Sequence, residues 1–426
     1  MILTPENRQI GRRNFMKALA GTPALAALDA RPRTDPVRGG PVHIGFVGVG
    51  GQGRALLGNV NPAFGRVVAM ADINPASLQK ADEVLARREQ LRAAHYVDIG
   101  DMLEHESIEA VIVAVPLWAH ADVVTQAFAA GKHALCEKMM AWDVAGCERM
   151  IAAAGKAGTV FEVGYQRHYN PIYRAAYDGI IQRQLLGDIY HVRLAWHRNG
   201  SWRRAGAPPS PDYDASGWGY PTFEHLWNWR LYRQYSRGLF AELASHQLNA
   251  ANWFISAAPQ AVMASGGVYR FKDGRESCDH EYAIWEYPGG VTTTFSSVES
   301  NAFDERYEAF FGTKATLIMY NEAEALLFEE GGAGTSTGVE VSGVANGAVV
   351  HASETKPANA GAASLAAAQS ASATGRASAT ELEISRFCSA VRTGEPVACG
   401  AERAFESARS CIAADEAIAQ HLRLTI

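Results

Sequence analysis

Apolar positions along the chain keep two different rhythms. Between residues 42 and 157, short continuous apolar runs alternate with stretches of helical period. The runs at 42–47, 67–71, 110–115 and 133–136 read as strands buried on both faces. Helical patterns opening at Arg54 and spanning 76–88, 120–130 and 143–157 follow them. Alternation of this length predicts an α/β unit with a doubly wound parallel sheet. After Gly164 the rhythm changes. A helix is expected over 172–186, then strands at 189–197, 261–269, 281–287, 291–298 and 305–312, with turns such as Pro288-Gly289-Gly290 between them. Such alternating and aromatic-rich runs predict a second, α+β unit on an antiparallel sheet.

Residues 331–380 are mostly Gly, Ala, Ser and Thr, which cannot bury a core, so they predict a linker or long insertion. Helical patterns resume at Glu381 and over 401–421. The expected units are therefore 41–163, 164–330, 331–380 and 381–426, after a separate segment 1–30.

Composition excludes several classes. The chain has 426 residues, 48% hydrophobic and 20% charged, which fits two or three folded domains. Its formal charge of −6 argues against nucleic acid as a partner. No apolar run approaches the roughly 20 residues of a membrane helix, so stable membrane insertion is not expected. The six cysteines (Cys136, Cys147, Cys278, Cys388, Cys399, Cys411) are scattered, which suggests neither a disulfide framework nor a zinc site. His191, His197, His225, His246 and His280 also lack ligand spacing, and no metal is expected.

Chemistry first shows at the end of the first strand. Gly48-Val49-Gly50-Gly51-Gln52-Gly53 matches G-x-G-x-x-G between a strand and a helix. Gly48 permits the tight turn, Gly50 lets a pyrophosphate approach the backbone, and Gly53 lets the helix pack against the sheet. Asp72 ends the next strand at the distance expected for a ribose-binding carboxylate, which favours NAD over NADP. This reading makes the first unit a Rossmann domain.

A resemblance then becomes specific. Pro116, His120, Ala130-Gly131-Lys132-His133 and Glu137-Lys138 fall in the pattern of the Gfo/Idh/MocA oxidoreductases. With the glycine loop, the likeness covers most of residues 42–325. It implies a Rossmann domain carrying NAD or NADP and a second α/β domain with an open antiparallel sheet. It also implies a homo-oligomer, a dimer or tetramer, and a C-terminal segment packed back on the first domain. Gly48, Gly50, Gly51, Gln52, Gly53, Asp72, Pro116, His120, Glu137 and Lys138 would line the cofactor. Where the family usually has Glu-Lys-Pro, this chain has Glu137-Lys138-Met139. The family's Asp-x-x-x-His maps onto Glu242 and His246, four apart and so on one helical face.

Those residues suggest hydride transfer. His246, with an ordinary pKa near neutrality, would take the alcohol proton. Lys138 would stabilise the developing alkoxide, and Glu242 would orient the imidazole or bind a second hydroxyl. For substrate, Trp196, His197, Arg198 and Trp202 combine aromatic faces with hydrogen-bonding groups suited to carbohydrate, although a surface loop pinned by aromatics reads as well. Trp227-Asn228-Trp229-Arg230 has the same character. Tyr165, Arg167 and His168 follow the last Rossmann strand and are further candidates.

The N-terminus adds a location. Residues 11–17 read Gly-Arg-Arg-Asn-Phe-Met-Lys, followed by a weak apolar run over 18–28 and small residues at Ala26 and Ala30. Arg12-Arg13 with Phe15 and Lys17 resembles a twin-arginine signal. The alternative is an amphipathic helix of the folded protein, against which Gly21 and Pro23 argue. The signal predicts use of the twin-arginine export machinery, a periplasmic or extracytoplasmic location, and a cofactor loaded before export and tightly held. The expected function is an NAD-dependent oxidoreductase acting on a sugar or polyol, with an internal couple between two sugars as one way to restore the cofactor. The alternatives are a glycosidase working by transient oxidation at C3, with His246 or Tyr165 as the C2 base, and a non-catalytic sugar-binding protein that keeps NAD.

Overall fold

In the computed structural model, residues 3–28, 39–88, 92–104, 107–330, 339–344, 347–352 and 377–426 are described. The chain opens with helices α1 (Pro5–Leu19) and α2 (Pro23–Leu28). Thr4 caps α1 by accepting from the Asn7 amide at 3.1 Å. Phe15 and Leu19 are buried, and Arg12 pairs with Glu324. The Arg12-Arg13 segment thus lies in helix α1, which packs against the second domain.

Six parallel strands form the first domain: β1 (Val42–Val47), β2 (Gly65–Ala71), β3 (Ala94–Tyr96), β4 (Ala110–Val113), β5 (His133–Glu137) and β6 (Phe161–Gly164). Their order is β3-β2-β1-β4-β5-β6, the doubly wound arrangement with its switch point beside β1. Helices α3 (Gly51–Leu57), α4 (Pro75–Arg87), α5 (Ile99–Leu103), α6 (His120–Ala129) and α7 (Val144–Ala157) connect them. Strand alternation separates two cores. Ile44, Phe46, Ile112 and Leu135 face one side, while Val47, Val111, Val113 and Cys136 face the other.

The second domain holds α8 (Pro171–Ala176), β7 (Ile189–Trp196), α9 (Phe223–Trp227) and α10 (Ser245–Ile255). It continues through β8 (Ala261–Gly267), β9 (His280–Glu286), β10 (Thr292–Val298), β11 (Arg306–Gly312), β12 (Ala315–Tyr320) and β13 (Glu324–Glu329). With the C-terminal β16 (Leu424–Thr425) these make one sheet in the order β13-β12-β11-β7-β10-β9-β8-β16. It is antiparallel except where β10 runs parallel to β7.

Several expectations change. The helix expected over 172–186 is α8 followed by a π-turn, Tyr177–Ile181. Strands β12 and β13 were not anticipated. Within 331–380, β14 (Val339–Val344) and β15 (Gly347–Ala352) pair as an antiparallel ribbon, and most of the remaining expected linker lies outside the described residues. Helix α11 (Ala379–Thr393) sets Ile384, Phe387 and Cys388 into the β1-side core. Helix α12 (Ala401–Gln420) packs among α7, α10 and β8.

Candidate functional site

A single cavity of about 1130 Å³ runs from the glycine loop to the second-domain sheet. Steric limits shape its first-domain wall. Gly48 has φ +83°, and a Cβ there would lie 2.8 Å from the Ala114 carbonyl carbon. A Cβ on Gly53 would lie 2.0 Å from the Gly48 carbonyl oxygen. Gly50 and Gly51 face open space instead, so their backbone is bare to the cavity. Asp72 ties this loop to the next: its carboxylate accepts from the Val49 and Asn74 amides, each at 2.8 Å. Burial pushes Asp72 up to about 6, although both amides and Arg54 pull it down, so it is ionised at neutral pH.

Gln52 reaches across to donate to Glu137 at 2.8 Å. His120 is buried, with Nδ1 3.0 Å from the Met139 carbonyl and Nε2 3.0 Å from the Val115 carbonyl. Burial lowers its pKa, and the neutral ring donates to one of these carbonyls. His120 therefore joins the end of β4 to the segment after Lys138, where the Lys138–Met139 peptide is cis.

The second-domain wall is organised by charge. A π-turn, Phe240–Ala244, precedes α10 and carries Glu242, while His246 lies in the first turn of the helix. Such turns recur at functional sites. Lys138 Nζ donates to the Glu242 carbonyl at 2.9 Å and lies 4.0 Å from its carboxylate. Arg230 Nε donates to the same carboxylate at 2.8 Å. Burial alone would raise the Glu242 pKa, but Arg230, Lys138 and Arg198 outweigh it and hold the carboxyl near 2. His246 meets Tyr165 edge-on at 6.1 Å and Trp196 at 5.8 Å. Burial, followed by the charges of Lys138, Arg167 and Arg306, holds its pKa well below the ordinary value. The expectation of a near-neutral histidine is corrected: His246 is a neutral ring and a weak base.

Of the expected cofactor residues, Gly48, Gly50, Gly51, Gln52, Asp72, Pro116, His120, Glu137 and Lys138 line the cavity, and Gly53 packs behind Gly48. The expected substrate residues divide. Trp196 and Trp202 line the cavity, but the others turn away from it. Arg167 is buried between Glu308 and Glu322, and His168 bonds Asn249 at 2.7 Å. His197 bonds Ser296 at 3.0 Å. Arg198 pairs with Glu299 and stacks 3.7 Å over the Trp202 ring. Tyr165 meets His246 edge-on away from the cavity lining, and burial raises its phenol pKa well above the ordinary value.

Sequence reasoning gave no role to Trp118 or Tyr220 among the lining residues, whereas Arg204 and Arg230 close the two aromatic- and arginine-rich stretches that begin at Trp196 and Trp227. Among the described residues, no group of three His, Cys, Asp or Glu could hold a metal ion, and no helix is long and apolar enough to cross a membrane. All six cysteines are free and buried.

Comparison with known proteins agrees with this architecture. Residues 42–165 match the oxidoreductase family with an NAD-binding Rossmann fold, and residues 175–318 match the GFO/IDH/MocA C-terminal domain. An inositol 2-dehydrogenase/D-chiro-inositol 3-dehydrogenase of Lactiplantibacillus plantarum is 32% identical over 155 residues, 35% of this chain and 43% of that protein. The match thus spans less than half of that relative. The solved scyllo-inositol dehydrogenase of Lactobacillus casei with NAD(H) and scyllo-inositol superposes with a TM-score of 0.64 at 18% identity, covering 90% of this chain and 99% of the other. An aldose-aldose oxidoreductase of Caulobacter crescentus gives 0.63 at 19% identity, covering 91% and 100%. At that identity the two structures attest the fold alone. The glycine loop, the Glu137-Lys138 step and both matched domains make this chain a member of the Gfo/Idh/MocA oxidoreductase family.

Proposed function

We propose that the protein is an NAD-dependent oxidoreductase that moves a hydride between a tightly bound nicotinamide and a sugar or polyol hydroxyl carbon. One observation carries this reading: a single cavity joins a dinucleotide loop to Lys138, Glu242 and His246. The residues fit the cofactor. Gly50 and Gly51 leave space where a side chain would stand, and Asp72 offers ionised oxygens that suit ribose hydroxyls and repel a 2′-phosphate. When bound, the nicotinamide supplies the hydride acceptor.

The chain's own groups do the rest. Lys138, fixed by the Glu242 carbonyl, presents Nζ hydrogens to the substrate oxygen and stabilises negative charge there. Glu242, ionised and held by Arg230, keeps Lys138 in place and offers an acceptor to a neighbouring hydroxyl. His246, kept neutral, accepts a proton only in passing. Trp196, Trp202 and Trp229 give flat apolar faces for the C–H face of a ring. The names of the inositol dehydrogenases among the relatives support a polyol or sugar as substrate.

Tight retention is supported by the segment 203–220, which crosses to the first domain. Tyr213 donates to the Ile73 carbonyl at 3.0 Å, and Trp118 Nε1 donates to the Tyr220 hydroxyl at 2.7 Å. Export rests on Arg12-Arg13, and Arg12 must leave Glu324 or be read before α1 docks. A homo-oligomer is supported by Met263, Tyr282 and Ile284, exposed on one face of paired β8 and β9.

The test is purification followed by absorbance at the reduced-nicotinamide band while inositols and aldoses are added. Reduction of co-purified cofactor is expected, with a loss of about 100-fold or more in Lys138→Ala. Full activity in both Lys138→Ala and His246→Ala would overturn the assignment.

A further inference from the structure

Two consecutive arginines in the segment between β7 and α9 have opposite fates. Arg203 turns away from the cavity, and its guanidinium pairs with Asp273 at 3.0 Å and with Glu224. Arg204 lines the cavity and is exposed there. Its backbone is fixed from below. Buried Asn228 accepts from the Arg204 amide at 2.7 Å and donates to the Arg204 carbonyl at 3.1 Å. Trp227 Nε1 donates to the next carbonyl, that of Ala205, at 3.2 Å. A Cβ on Gly206 would stand 2.4 Å from the same nitrogen, so the chain lies close over the Trp227 ring. Two residues before Arg204, Trp202 has φ +61°, in the left-handed region that a bulky residue seldom occupies. Backbone strain of this kind persists where the surroundings fix it, and it clusters at ligand sites. The Trp202 ring lies under the Arg198 guanidinium and on the cavity lining.

The pinned segment leaves one charge without a counterpart. The charges beside the Arg204 guanidinium are those of Arg230, Glu242 and Arg54, and among the described residues none of them makes a hydrogen bond or ion pair with it. Glu242 is already held by Arg230 at 2.8 Å and by Lys138 at 4.0 Å. Arg198 is balanced by Glu299. Arg54 is turned to the Val49 carbonyl at 2.8 Å. Glu137, the other carboxyl beside Lys138, accepts from Gln52 of the glycine loop. Even with Glu137 counted as ionised, Glu137 and Glu242 face Lys138, Arg230 and Arg204, and an oxidised nicotinamide adds further positive charge. A cleft with such an excess draws in an anion. A guanidinium fork matches a carboxylate through two parallel N–H donors.

We propose that the substrate is a sugar acid, a uronic or aldonic acid, whose carboxylate docks on Arg204 while one of its hydroxyl carbons faces Lys138. The proposal rests on the hydride-transfer reading and narrows its substrate. The carboxylate is a handle and is unchanged by the reaction. Oxidising one CH–OH to C=O breaks a C–H and an O–H bond. The hydride carries both electrons to the oxidised nicotinamide, and the hydroxyl proton passes by way of His246 to water. One unpaired guanidinium balances one carboxylate, whereas a phosphate dianion would call for a second free cation beside it.

The experiment uses the purified full chain with its own cofactor and follows the reduced-nicotinamide absorbance. Glucuronate, galacturonate and gluconate are compared with glucose, galactose, myo-inositol and glucose 6-phosphate. The acids are expected to exceed the neutral compounds in kcat/KM by about tenfold or more. In Arg204→Met that ratio should fall by about 10- to 100-fold, mostly through KM for the acid. Arg204→Lys keeps the charge without the fork, and its ratio should lie between the two. A neutral compound or the phosphate turned over better than every acid would overturn the proposal and leave hydride transfer standing. So would an acid preference that survives in Arg204→Met. Loss of bound nucleotide in both variants would assign Arg204 to the cofactor's pyrophosphate and overturn it too. No reduction with any acid, sugar or polyol would overturn the hydride-transfer reading as well.

Discussion

The glycine-loop wall of the cavity is bare backbone, and the wall around Glu242 is long side chains. Along the first, position is set by exclusion: Gly48 and Gly53 sit where the main chain approaches within van der Waals distance of itself. Along the second, position is set by charge balance: Lys138 and Arg230 converge on one buried carboxylate, Glu242. A sterically built wall has one geometry or none. An electrostatically built wall holds together over the pH range in which its charges persist, and it can be tuned one charge at a time.

Gly53→Ala strikes the first wall hardest. The new methyl would stand 2.0 Å from the Gly48 oxygen, a backbone atom with no rotamer to move. Expected are purification without bound nucleotide and a stability loss of about 2–4 kcal/mol. Both are read from the absorbance spectrum and a thermal melt. Wild-type retention of nucleotide in this variant would break the view that exclusion shapes the wall.

Arg230→Met tests the second wall. Glu242 is held near 2 against an ordinary 4.5, so its ionisation stabilises the fold above about pH 4.5 and is lost as pH falls through 2. Without Arg230, the burial that opposes ionisation gains ground and the carboxyl pKa rises. Lys138 remains nearby and Arg230 is 22% exposed, so the cost is about 3 kcal/mol, at the low end for a broken buried pair. The acid limb of the pH–rate profile should move upward, and stability should begin to fall at a higher pH than in the wild type. An acid limb unchanged from wild type would show that Glu242 is not kept ionised by Arg230.

The same contrast explains what could be read from the chain. The glycine loop, Asp72 and the strand–helix alternation are local in sequence, and each carries its physical reason within a few residues. Glu242 and His246 were legible because they fall on the family's Asp-x-x-x-His pattern, although Glu242 lies in the π-turn before the helix that carries His246. His246's depressed pKa was not, since it depends on Lys138, Arg167 and Arg306, which only the fold assembles. Arg167 and His168 misled for the same reason: polar residues after a strand look exposed until Glu308, Glu322 and Asn249 arrive from distant segments. Strands β12 and β13 were overlooked, although Thr316–Tyr320 and Ala325–Phe328 are largely buried against β11 and α1. Trp118 and Tyr220 are far apart in sequence, and their bond across the cavity mouth has no local signature.

That bond and its neighbour link the two walls, and the smallest expected effect lies there. Tyr213 packs with Ile73 and Trp118 around Ala215, Tyr220 and Tyr235, a cluster drawn from both domains. The Tyr213 hydroxyl donates to the Ile73 carbonyl, next to Asp72. Tyr213→Phe keeps the ring and removes that bond, which is worth about 1 kcal/mol. If segment 203–220 retains the cofactor, release of bound nucleotide should quicken by about fivefold, the same energy expressed as a rate. The thermal melt with nucleotide saturating should hardly change. Exchange against labelled NAD measures the release directly. Should Tyr213→Phe release nucleotide at the wild-type rate while Trp118→Ala releases it faster, retention would belong to the aromatic packing. Should neither change it, the two walls alone would hold the cofactor, and segment 203–220 would have no part in its residence.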